Sequence, residues 1–374
     1  MTLRSFFRTM LRVGLFTSSL ALSSATLVSH DAKARAQDEI DAGASAAAAA
    51  VPAAAVPVAT APAAAMTPTI EDKKSELVFL LVDKTRLKAD LLTWPEDGQK
   101  SEKLISFRIA IGKENGDKQK SGDNRTPEGI YFAKSILGGK GLPSKYGPVA
   151  IPIDFPNPLD RFLGKTGYGI WLHGVEKDSR IEAANVTEGC VAFYNADIQS
   201  LSQWLVPAES IIVIAKDATQ VNRHEDVEQV RKLVGEWTEA WNKRDVDSYI
   251  SYFIPNFRSF DKHLNLKNYK KYKTRVFASY RNMSVKMQDL RVFTHDRYAV
   301  AIMNQDFVGD DRFHVFGRKV LYWQRIDKGG WKLFHEEFDE RPMRFTDLAR
   351  DKIAQIIRTS PSTKFLQDTR ESKL

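Results

Sequence analysis

The sequence predicts a mostly β domain followed by an α+β domain, with a leader and a tether in front of them. Three observations carry that reading. Short apolar segments punctuated by Gly and Pro fill residues 76–216. Helical periodicity takes over after Asn222 and gives way to long strands. The stretch before Glu76 holds no segment able to build a core.

The leader comes first. Arg4, Arg8 and Arg12 form a basic start, Val13 to Val28 is an apolar run softened by Ser and Thr, and Ala34-Arg35-Ala36 offers small residues where a signal peptidase reads. Residues 1–36 are therefore expected to be a signal peptide, with an uncleaved anchor as the alternative. No Cys follows the apolar run, which excludes a lipoprotein anchor. Removing Arg4, Arg8, Arg12, Lys33 and Arg35 together with Asp31 takes the formal charge from +8 to +4. A modest positive balance suits an anionic polymer such as the cell wall, and no nucleic-acid partner is expected of an exported chain. The location implied is the periplasm or cell envelope. Residues 37–75 are expected to be a linker, because 41–65 are nearly all Ala, Pro and Val and read as an extended tether.

The first domain is expected over 76–216. Leu77 to Val82 is a continuous apolar run ended by Asp83-Lys84, which predicts a buried strand, and Lys88 to Trp94 pairs with it as a hairpin. Leu104 to Ile111 alternates and stops at Gly112, another strand. Asn195-Ala196-Asp197 is expected to cap a helix running to Leu205, and Ser210 to Ile214 reads as the last strand.

The second domain is expected over 222–345. Val227, Val230, Val234, Trp237 and Trp241 fall on one helical face. Asn242 to Asp245 breaks that helix, Asp247 to Phe253 starts a second, and Leu266 to Tyr280 suggests a third. Within it, Tyr269 to Arg275 reads as a solvated basic face with buried aromatics rather than a contact for glycan or headgroups. Strands follow at Val285–Phe293, Tyr298–Phe307, Val315–Ile326 and Trp331–Phe338, the last two joined by a hairpin at Asp327-Lys328-Gly329-Gly330. Residues 346–374 are expected to be a tail, a short helix at most and then disordered.

One thiol stands in the whole chain, Cys190. It cannot close an internal disulfide, and an unpaired thiol in an oxidising compartment points to chemistry. A thiol needs a base to act at neutral pH, and imidazole is the usual one. His173 is the only histidine in the same domain, since His224, His263, His295, His314 and His335 all lie beyond Asn222. Zinc chemistry finds no support: there is no second Cys and no His-x-His, and His335-Glu336-Glu337 lacks the second His of a zincin helix. No metal and no cofactor are expected. Gly189 is expected to let the backbone turn tightly at the nucleophile.

The segments Gly169-Ile170-Trp171-Leu172-His173-Gly174 and Thr187-Glu188-Gly189-Cys190-Val191-Ala192-Phe193, with Arg125-Thr126-Pro127-Glu128-Gly129 upstream, resemble the YkuD-type L,D-transpeptidase catalytic domain. The resemblance covers about residues 76–216. It implies Cys190 as nucleophile, His173 as base, the Gly174 carbonyl as its orienter, and backbone N–H groups at Gly189 and Cys190 for the oxyanion. It also implies peptidoglycan stem peptides as substrate, attacked at the third-residue diamino acid with loss of D-Ala. Thr187, Glu188 and Tyr168 are candidate substrate contacts. Glu188 and Ala192 depart from the family, where most members carry His, and Arg or Asn. The Thr-Glu-Gly-Cys-Val-Ala-Phe segment resembles instead a subgroup of LD-carboxypeptidases that shape curved and helical cells, for which water is the acceptor.

Trp237-Thr238-Glu239-Ala240-Trp241 and Gly330-Trp331-Lys332-Leu333 resemble the cone-shaped domain of nuclear transport factor 2, which that subgroup also carries. This domain is expected to bind or dimerise, pairing with itself or with a wall-associated protein. Asp261, His263, His295 and His335 could line a pocket there, but core or surface histidines are the reading preferred. A silent wall-binding protein is the rival to an enzyme.

Overall fold

The computed structural model describes residues 77–94, 101–259, 263–310, 313–326, 330–343, 356–363 and 365. The expected signal peptide, the linker, Asp261 and the hairpin tip at 327–329 lie outside the described residues.

The first domain is a mixed sheet with two short helices. Strands β1 (Val78–Asp83) and β2 (Lys88–Thr93) form the expected hairpin, and β3 (Lys103–Gly112) continues it antiparallel. Next come β4 (Gly129–Phe132), β5 (Leu137–Gly138), β6 (Val149–Pro152) and helix α1 (Pro158–Phe162). Strands β7 (Trp171–His173), β8 (Asn185–Thr187) and β9 (Val191–Phe193), helix α2 (Asn195–Ser202) and β10 (Ile211–Ala215) complete it. The strand order is β4-β10-β1-β2-β3-β9-β7-β6-β5, with β8 beside β3. The last strand inserts between β4 and β1, parallel to β1.

Helix α2 corrects the capping expectation. It ends at Ser202, its N-cap is Tyr194, and no side chain caps it. Asn195 is used elsewhere. Its amide accepts from Val175 N and donates to Val175 O, both at 2.9 Å.

The second domain follows the predicted pattern closely. Helix α3 (His224–Asn242) buries Val230, Val234, Trp237, Ala240 and Trp241, and Asp245 caps α4 (Val246–Ser251) through Ser248 N. Helix α5 (Leu266–Ala278) leads into a meander of β11 (Met283–Thr294), β12 (Tyr298–Gly309), β13 (Phe313–Arg325) and β14 (Trp331–Asp339). The basic face of α5 is not wholly solvated. Lys273 is buried, its ammonium over the rings of Trp241, Tyr249 and Tyr269 at 4.6, 5.0 and 5.3 Å, an arrangement that stabilises a desolvated cation.

The two domains share one hydrophobic cluster. On β1, Val78, Leu80 and Val82 face the core of the first domain, while Phe79 joins the cluster of the second. On β10, Ile212 and Ile214 face one way and Ile211, Val213 and Ala215 the other. Burial on both faces is why these strands read as continuous apolar runs instead of alternating ones. Phe293 of β11 packs at 5.0 Å from Phe79 and 4.2 Å from Trp94. The Tyr298 hydroxyl donates to Ile130 O at 3.0 Å and accepts from Asn157 Nδ2 at 2.9 Å, so the buried phenol is satisfied across the junction.

Of the tail, residues 356–359 and 361–363 are helical, in keeping with a short helix there, and Ser360 and Ser362 are buried against the first domain. This part is held by hydrogen bonds to buried groups. The remainder lies largely outside the described residues.

Candidate active site

Strand β9 lies between β3 and β7. It runs antiparallel to β3, with Ile109 opposite Phe193, and parallel to β7, with Leu172 opposite Val191 and His173 opposite Ala192. Cys190, the residue just before β9, therefore falls beside Trp171. Since alternate residues of a strand share a face, Trp171, His173, Cys190 and Ala192 project from the same side. His173 and Cys190 are diagonal neighbours there, with Trp171 and Ala192 on the other two corners.

The imidazole is fixed on two sides. His173 Nδ1 is hydrogen-bonded to Gly174 O, and since a carbonyl can only accept, the proton sits on Nδ1 and Nε2 keeps its lone pair. Tyr146 meets the ring edge-on at 5.1 Å and packs tilted against Trp171 at 4.6 Å. Burial pulls the His173 pKa down to about 4, with the fields of Arg180 and Lys145 adding to it and the Gly174 bond opposing. The ring is neutral at physiological pH and ready to accept a proton.

The thiol is neutral as well. Burial pushes Cys190 up to about 11, against a backbone hydrogen bond from Trp171, and nearby Glu188 adds to the rise. Its Sγ donates to Gly169 O at 3.5 Å, so at rest the proton points away from the imidazole. With both groups neutral at rest, attack by the thiol has to be coupled to transfer of its proton to a base.

The turn before Cys190 is built by hydroxyls. Thr187 Oγ1 donates to Cys190 O at 2.7 Å and accepts from Gly189 N at 3.1 Å, while Thr126 Oγ1 reaches the same carbonyl at 3.4 Å. Thr187 is buried, with its proton and one lone pair spent inside the turn. Its expected substrate contact thus gives way to a structural role. The Gly189 N–H is occupied for the same reason, so, against expectation, it is not free to serve an oxyanion. Glu188 and Tyr168 are both exposed, Tyr168 at 83%; Glu188 lies two residues before the thiol and Tyr168 next to Gly169, whose carbonyl accepts from that thiol.

Gly189 has φ +122°, and a Cβ there would lie 2.7 Å from Arg125 O and 3.1 Å from Ile170 Cδ1. Gly189→Ala is expected to cost about 3 kcal/mol through backbone strain and contact. Urea denaturation would measure that loss, and slower alkylation of Cys190 would report the displaced thiol.

Several residues of the site carry no local signature. Lys84 is buried at the end of β1 and donates to Gly116 O, Thr126 O and Glu128 Oε1 at 2.6, 2.8 and 2.8 Å, fixing the turn that carries Thr126. Tyr146 and Asn195 work through contacts distant in sequence. Only the Gly-Pro and Thr-Pro punctuation around 126 and 147 hinted that these loops were fixed.

The histidines of the second domain do not converge. His295 Nε2 meets Ile214 O at 3.3 Å between the domains, His335 sits against Tyr322, and His263 is exposed. Among the described residues, no cluster of His, Cys, Asp and Glu could hold a metal ion. The buried polar centre of this domain is Glu336, paired with Lys319 at 2.5 Å and with the Tyr269 hydroxyl. Burial raises its pKa, but Lys319 and Lys273 outweigh that and hold it at about 2.

The family model for the YkuD L,D-transpeptidase catalytic domain matches residues 78–214, and that for the Cds6 C-terminal NTF2-like domain matches residues 229–337. The Escherichia coli (strain K12) protein named "Putative L,D-transpeptidase YafK" is 26% identical over 189 residues, spanning 48% of this chain and 70% of that one. The structure of Bd1075 from Bdellovibrio bacteriovorus is 26% identical with a TM-score of 0.60, covering 73% of this chain and 95% of its own. The helical cell shape determining protein Pgp2 from Campylobacter jejuni shares the fold, with 23% identity, a TM-score of 0.53, and coverage of 71% and 92%. The thiol and imidazole on adjoining strands β7 and β9 thus lie inside the matched catalytic domain, and the chain carries a YkuD L,D-transpeptidase domain followed by an NTF2-like domain.

Proposed function

We propose that this protein is a cysteine L,D-transpeptidase acting on tetrapeptide stems of peptidoglycan in the periplasm or cell envelope. One observation carries the reading: a neutral thiol and a buried neutral imidazole, its tautomer fixed by Gly174 O, share one face of the sheet. Cys190 Sγ turns from Gly169 O, gives its proton to His173 Nε2 and attacks the carbonyl of the third stem residue, a diamino acid, at its L centre. The oxyanion takes a hydrogen bond from the Cys190 N–H, a contribution of about 3–4 kcal/mol per donor. As the C–N bond breaks, His173 returns the proton to the departing D-Ala amine and a thioester remains. The side-chain amine of a second stem then attacks, losing its proton to His173, and the thiol is regenerated with a 3–3 crosslink. No step calls for a metal or a cofactor. The second domain acts as a module for binding the wall, an associated protein or a second copy.

Incubating the purified chain with disaccharide tetrapeptides and separating the products by mass tests this directly. 3–3 dimers with released D-Ala are the expected result. Tripeptide alone would make water the acceptor and the protein an LD-carboxypeptidase. Retention on sacculi with no turnover would overturn the enzyme reading in favour of a wall-binding protein.

A further inference from the structure

We propose that the C-terminal segment around Ser360 and Ser362 is a positioning strap for the His173 imidazole, acting through Asp197 and Asn195 on helix α2. The proposal rests on the reading of His173 as the base.

Asp197 is fully buried in the first turn of α2, and among the described residues no cation pairs with it. A buried carboxylate is costly unless donors satisfy it. Here they come from far along the chain: Ser360 Oγ donates to Asp197 Oδ1 at 2.7 Å and Ser362 Oγ donates to Asp197 Oδ2. Ser360 and Ser362 are themselves 3% and 0% exposed. Ser362 Oγ also accepts from Arg108 N on β3 at 2.6 Å, and the Arg108 guanidinium lies over the Phe365 ring at 5.1 Å. The segment therefore ties α2 to β3, the strand paired with β9.

Two residues before Asp197, Asn195 connects this anchor to the catalytic strand. Its amide grips Val175 N and Val175 O, and its backbone N–H donates to Asp178 Oδ1 at 3.0 Å. Asn195 Oδ1 lies so close to Gly174 that a Cβ there would sit 2.3 Å away. The Gly174 carbonyl in turn holds His173 Nδ1–H. A shift of the α2 first turn would thus move the acceptor that orients the base. The strap acts on position, and it touches no reacting atom.

The test uses the full chain and the alkylation rate of Cys190, the only thiol, measured with iodoacetamide from pH 5 to pH 10. No muropeptide enters, so the result stands apart from the substrate assignment. Ångström-scale misplacement of a catalytic group can slow a reaction by up to about 100-fold. For Ser360→Ala/Ser362→Ala, alkylation at pH 7 is expected to fall by about tenfold, within that bound, with faster hydrogen exchange in residues 356–363. Ser362→Thr, which keeps the hydroxyl, is expected to retain most of the rate. If the double variant loses its cooperative melt, Ser362→Ala against Ser362→Thr carries the same comparison. An unchanged alkylation profile in a folded Ser→Ala variant overturns the proposal, as does equal slowing by the alanine and threonine variants.

Discussion

Replacing Cys190 by Ala is expected to lower turnover of tetrapeptide muropeptides by about 10⁴-fold or more, the scale set by loss of a nucleophile from a catalytic set. The substitution removes only Sγ, which donates to Gly169 O at 3.5 Å and accepts from the Trp171 backbone. The fold should not suffer: a change of this size at a half-buried position costs about 1 kcal/mol or less. Product analysis by mass together with a melting curve separates the two effects. Turnover persisting in a folded Cys190→Ala protein would dismiss the thiol as nucleophile. With no second cysteine in the chain, no other thiol could take its place.

His173→Ala is expected to lower the rate at pH 7 by about 10³-fold, near the upper part of the range for general base catalysis. A thiol held at about 11 is ionised in only about one molecule in 10⁴ at neutral pH, so without a base the attack has little thiolate to draw on. The pH profile makes the assignment specific. In the parent protein His173 titrates at about 4, so activity is present above roughly pH 5 and is lost as the pH falls through about 4. In the variant the rate should instead climb about tenfold per pH unit until the thiol itself ionises. The same depressed pKa has a linked effect on stability. The unfolded chain binds a proton at His173 near pH 6.5 and the folded chain does not, so this contribution is present above 6.5 and declines as the pH falls towards 4. A parent profile with an acid limb near 6.5 would contradict burial of the ring as its controlling feature.

Much of this was legible in the residues. The strands β11 to β14 were readable to within about two residues because their alternation is local, and the Asn242–Asp245 break was readable because a cap and a turn are local too. Cys190 and His173 stood out as candidates from residue type and order. How they are brought together was not legible, since the parallel register of β7 and β9 depends on partners distant in sequence. Asn195 was misread for a related reason. Cap preference is a property of the nearest turn, and here a pair of hydrogen bonds to Val175 outweighed it. The burial of Ser360 and Ser362 was not legible, because polar composition argues for solvent exposure, whereas the buried carboxylate of Asp197 gives these serines a reason to be inside. Thr187 looked like a substrate contact because it neighbours the thiol in sequence. Only three dimensions reveal a hydroxyl already occupied.

The double-sided burial of β1 and β10 bears on how such a protein can evolve. Modules joined by a polar linker can be exchanged as cassettes, because neither depends on the other's apolar surface. Here Phe79, Ile211 and Val213 belong by sequence to one module and by contact to the core of the other. Bare of its neighbour, the first module would present that apolar face to water. A recombination event that swapped the second module would have to match this surface in shape as well as in function.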